Sequence, residues 1–110
     1  MLGQNTRFFM ASRIYVLSAI FHFVPLLLGA DGGGQLALVG VIILLLAMAL
    51  SRGYLGGVVF VFAAFGLSAG LYGFMTTDGL ARWAHGGIMV ADAMTAIALF
   101  PALWRGREAV

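Results

Sequence analysis

The residue in this chain with the most chemistry to offer is an aspartate inside a long apolar run. Asp92 lies eight or nine residues into the block from Trp83 to Trp104, which puts it ~12 Å below one membrane surface at the rise of an α-helix. A carboxyl in hydrocarbon costs at least ~2.5 kcal/mol on insertion scales, so it needs a partner, a proton or water. Thr95 follows it by three residues and His85 precedes it by seven, spacings that place all three on one helical face. Tyr15, Ser18, His22 and Pro25 form a second polar stripe at helical spacing in an earlier apolar run, and Ser68 interrupts a third. Counted from the same membrane surface, His22, Ser68 and Asp92 reach similar depths, so the sequence predicts that they meet, with Tyr72 beside them and Thr95 and His85 along the stripe. Such a cluster has three uses. Its members can satisfy one another and specify packing, form a proton or cation pathway, or contact another subunit or a cofactor.

Other chemistries are poorly served. Two histidines on different helices raise the option of a haem ligated from both sides, but His85 belongs near the membrane surface and His22 deeper, and no attachment sequence accompanies either. No cofactor and no metal site is therefore expected. The chain has no cysteine, which removes disulfides, thiolate nucleophiles and iron–sulfur ligation. No nucleophile is evidently paired with a base, so a redox or lipid-modifying enzyme using the outer polar cluster stays open but ranks below the non-enzymatic readings.

The elements that must position these residues are four apolar blocks, about 8–29, 34–50, 54–75 and 83–104. Each is long enough to cross, or nearly cross, a hydrocarbon layer of ~30 Å. With 63% hydrophobic and 9% charged residues, the chain has too little polar surface to face water on all sides. The polar breaks Asp31-Gly32-Gly33-Gly34, Ser51-Arg52-Gly53 and Thr76-Thr77-Asp78-Gly79 are short, and short loops join antiparallel neighbours. The expected fold is all-α: a single four-helix transmembrane domain over 1–110, an integral membrane bundle running up-down-up-down. The first block is read as a retained helix and not as a cleaved signal, because it is long for a signal core and Leu28 is a poor residue three positions before a cut after Ala30.

Packing signals are strongest in the third block. Gly66, Gly70 and Gly73 form a ridge of small residues that lets two backbones approach closely, and Gly87 and Ala91, with Thr95 and Ala98, offer a matching surface in the fourth block. The second block holds no polar side chain from Leu36 to Leu50, so it is expected to face lipid or an apolar partner and not to line a site. Pro25 is expected to kink the first helix near His22, and Pro101 to help end the fourth. Aromatic residues at the block ends, among them Phe8, Phe9, Tyr54, Tyr72, Phe74, Trp83 and Trp104, suit the headgroup level.

Orientation follows from charge. All six basic residues are arginines, and five of them (Arg7, Arg13, Arg52, Arg105 and Arg107) share the side of the chain termini, with Arg82 opposite. The positive-inside rule then makes both termini cytoplasmic, as in a bacterial inner membrane. Arginines that flank membrane segments do not make a nucleic-acid surface. The functional expectation is an accessory or packing subunit that sits in the bilayer against other membrane subunits or copies of itself. The alternative is a small proton- or cation-coupled transporter or channel using Asp92.

Overall fold

The computed structural model describes the backbone of residues 2–29 and 33–109, and the side chains of 7–29 and 33–103. Ala30, Asp31 and Gly32, and the side chains of Trp104, Arg105 and Arg107, lie outside the described residues. Four helices follow one another: α1 (Leu2–Leu27), α2 (Gly33–Ser51), α3 (Gly56–Thr76) and α4 (Gly79–Ala109). A span without water must satisfy its own backbone hydrogen bonds, which is why such apolar blocks become helices. All four helices are long and apolar enough to cross a membrane. The bundle is 46 Å long, close to the ~40–45 Å of a bilayer with its headgroups. Its outer face carries Leu27, Phe65 and Ile97 at 82%, 75% and 71% exposure. Apolar contact on that scale is with acyl chains, and the molecule is an integral membrane protein.

Helix ends depart from the apolar blocks in an instructive way. α4 begins at Gly79 and not near Trp83, because Leu80, Ala81 and Arg82 are good helix formers whatever their hydropathy. The break before it shrinks to Thr77 and Asp78, and the Thr77 amide and hydroxyl both donate to the Gly73 carbonyl, closing the end of α3. α4 also runs through Pro101, which was expected to help end it. A proline forfeits one backbone bond, a loss that neighbouring helices and local adjustment absorb in membrane helices. Between α2 and α3, the Tyr54 amide bonds the Ala49 carbonyl and the Gly53 amide the Leu50 carbonyl, with Gly53 at φ 88°. This is a Schellman cap, which needs a left-handed residue at the Gly53 position.

The helices do not pack as a closed square. α1 lies against α2 and α4, and α4 against α3, while α2 and α3 barely touch. Buried positions recur every three or four residues on α1 (Phe8, Ala11, Ser12, Tyr15, Ser18, Ala19, His22, Pro25), giving that helix one inward stripe. At the end of the bundle that holds both termini, Phe8, Leu50, Val59 and Leu99 fill the core. A Cβ on Gly56 there would meet the Phe8 ring and Leu103, so that end is tightly packed. Towards the opposite end the gap between α2 and α3 opens.

Candidate functional site

That gap is a cleft whose floor is polar. A chamber of about 490 Å³ has Leu36, Val39 and Ile43 of α2 on one wall and Val61, Phe62, Phe65 and Ala69 of α3 on the other, with Tyr15 and His22 of α1 and Asp92 of α4 at its base. α2 thus lines the site after all. Its lack of polar groups suits a wall, and sequence polarity alone could not separate a wall from a lipid face. A second cavity of about 420 Å³ shares Leu36, Val39 and Ala69 with the chamber and adds Gln35, Tyr72, Thr76, Thr77 and His85. The cleft therefore runs from a polar mouth at the end away from the termini to a carboxyl well inside the bundle.

Asp92 is 1% exposed and lies near the middle of the span Gly79–Leu103. The earlier start of α4 moves it from the predicted outer half towards the membrane centre, where a carboxyl is most costly. Its position depends on α3 having no side chain at Gly66, since a Cβ there would overlap the Asp92 Oδ2. Gly70 and Gly73 continue the same stripe: Gly70 admits the backbone of His85 and Met89, and Gly73 the His85 ring. The glycines of α3 thus do two things, bringing α3 against α4 and letting the polar side chains of α4 reach the cleft. Gly87 faces elsewhere, against the Phe21 ring of α1, so the α4 surface that meets the Gly66, Gly70 and Gly73 stripe is formed by His85, Met89 and Asp92. Ala91 is buried and borders a groove shared by α1 and α4.

The polar groups around Asp92 do not close into a network. Ser18, 0% exposed, turns its hydroxyl to the carboxyl, and Tyr15 lies within electrostatic reach of it. Among the described residues, however, Ser18 Oγ and Asp92 Oδ1 are buried and have no hydrogen-bond partner. A buried polar atom left unpaired costs ~1–3 kcal/mol, and such atoms are rare enough to require a reason. His22 is held differently. Its Nδ1 lies 2.7 Å from the Ser18 carbonyl, which can only accept, so Nδ1 carries the proton and Nε2 of the neutral ring is an acceptor.

Of the residues predicted to join the cluster, Tyr72 stands at the mouth, 72% exposed, and Ser68 and Thr95 also stand apart. Ser68 is exposed and borders a shallow groove with Phe60, Val61, Ala64 and Phe65, because two residues beyond Gly66 is ~200° around a helix. Thr95 is buried, but its hydroxyl donates to the Ala91 carbonyl at 2.8 Å and so satisfies itself within α4. His85 lies in the mouth and His22 in the chamber, within electrostatic reach of each other. Tyr15 and Ser18 are the residues whose place at the carboxyl was not foreseen; their shared helical stripe with His22 was the signal. No known family, curated protein or solved structure matches the chain.

Proposed function

We propose that this small multi-pass membrane protein is a non-enzymatic carrier that binds a proton or a cation at Asp92 and moves it, or a solute linked to it, across the bilayer. The observation that carries the reading is the buried Asp92 carboxyl at the base of the cleft, whose Oδ1 has no hydrogen-bond partner among the described residues. An acid kept only to organise packing ends on a partner, as Thr95 does. A carboxyl at the membrane centre that faces a cavity instead has its cost offset by what it binds. Sites at the midplane are also where alternating access requires them. The packed core of Phe8, Leu50, Val59 and Leu99 closes the other end, which corresponds to one access state of a carrier and not to an open channel.

The accessory-subunit and homo-oligomer readings rest on exposed apolar faces, which acyl chains cover as well as a partner would. Acyl chains cannot satisfy the carboxyl. A haem between His22 and His85 has less support, since one histidine lines the chamber and the other the mouth. Hydrolytic chemistry also lacks support: the Ser18 hydroxyl faces a carboxyl, and the protonated nitrogen of His22 is held by backbone. The proposed setting is a bacterial inner membrane with both termini cytoplasmic, on the arginine distribution.

Reconstitution tests the reading. In liposomes under an imposed pH gradient, the wild-type chain is expected to support flux, and Asp92→Asn to abolish it while the helical content stays intact. Undiminished flux in the variant removes the carrier function from Asp92. A wild-type chain with no flux under proton or cation gradients returns the accessory-subunit reading to first place.

A further inference from the structure

We propose that the cleft takes a lipophilic organic cation: a molecule with an apolar, partly aromatic body and one positive charge, held by Asp92 and admitted sideways from the bilayer between α2 and α3. This rests on the reading of Asp92 as a cation site and names what occupies it.

The donor set decides between kinds of cation. Hard metal ions are held by six or more oxygen ligands in a polar cage. The chamber offers one carboxyl, one phenol and one imidazole on otherwise apolar walls. Among the described residues no three His, Cys, Asp or Glu side chains gather to hold a metal. An organic cation needs far less. One buried carboxylate matches its charge, and Phe62 and Phe65 present the aromatic surface on which cations are stabilised. A volume of about 490 Å³ falls within the ~300–1,000 Å³ of sites that enclose small ligands.

Charge gives the site its selectivity. The walls attract any apolar body, whereas the carboxyl favours a cation and repels an anion of the same shape. The route follows from the packing. Because α2 and α3 barely touch and Phe65 on the rim is 75% exposed, a solute dissolved in the acyl chains reaches Asp92 without passing the polar mouth.

The test is equilibrium binding of tetraphenylphosphonium to the purified full chain in detergent, with tetraphenylborate as the probe of similar shape and opposite charge. The phosphonium ion should saturate one site and bind wild type at least tenfold more tightly than Asp92→Asn. The borate should bind wild type more weakly than the phosphonium and gain or hold affinity in the variant. Equal binding of the two ions, or of the phosphonium to both proteins, overturns the proposal. Circular dichroism and elution volume report whether Asp92→Asn folds. Where it does not, Val39→Trp fills the cleft wall without altering the carboxyl, and unchanged phosphonium affinity there overturns the proposal equally. Asp92-dependent proton or sodium flux with no phosphonium binding overturns the ligand class alone, and the absence of both overturns the site as well.

Discussion

At the residue scale the fold turns on an absence of atoms. Asp92 occupies the space that a side chain at position 66 would fill, so a carboxyl on α4 reaches the base of the cleft through a notch in α3 one methyl group wide. The consequence is separable from folding. Gly66→Ala is expected to displace the carboxyl, which is the end of a side chain and can rotate, and so to weaken Asp92-dependent flux by ~10-fold, or about 1.4 kcal/mol in binding terms, with little change in the thermal midpoint. Flux at the wild-type level in that variant would show that the carboxyl works from another position. The sequence announced Asp92 and His22 by their types alone, since ionisable groups are scarce in apolar runs. It could not announce the companions. Ser18 and Thr95 are both small hydroxyl residues on buried faces, yet one faces the acid and the other bonds its own backbone, and composition does not separate these outcomes.

At the scale of the helices, the α3 stripe of Gly66, Gly70 and Gly73 was legible because spacings of three and four residues return to the same face. Which α4 residues it meets was not. Small residues at Gly87 and Ala91 suggested a smooth surface matching smooth surface, whereas the structure sets glycine against the larger Met89, His85 and Asp92 and turns Gly87 to Phe21. Choosing a face on α4 requires knowing where α1 lies, and that is a property of the whole bundle. The stripe nevertheless makes a sharp forecast. A Cβ at Gly70 would stand 2.9 Å from the Met89 amide nitrogen and 3.0 Å from the His85 carbonyl oxygen, and backbone cannot rotate away. Gly70→Ala should therefore force α3 and α4 apart, at the ~1–3 kcal/mol typical of overpacking. Gly57→Ala, on the same helix with nothing within 4 Å, should leave stability unchanged or raised. Thermal unfolding of the two variants in one detergent checks this, and equal midpoints would mean that the α3–α4 contact is looser than described.

At the scale of the molecule, four antiparallel spans were readable from block lengths and short polar breaks, while the missing α2–α3 contact was not, because hydropathy records that a surface avoids water and not which neighbour covers it. That open seam, sealed at the end bearing the termini and polar at the other, predicts a pattern of access that the cysteine-free chain is suited to report. A membrane-impermeant, positively charged thiol reagent added from outside should modify Thr77→Cys at the mouth and leave Arg52→Cys on the opposite side untouched, given cytoplasmic termini. Reaction at position 52 and not at 77 reverses the orientation. The decisive pair is on α3. Ala69 borders both the mouth and the chamber, whereas Leu71, two residues nearer the mouth along the helix, projects from the other side of α3 and is 46% exposed on the apolar surface. If the cleft admits solvent and ions from that end, Ala69→Cys reacts despite its greater depth and Leu71→Cys does not, because a charged reagent in acyl chains meets the same penalty as a charged side chain. Reaction in the reverse order would mean that depth alone governs access and that the path to Asp92 is closed.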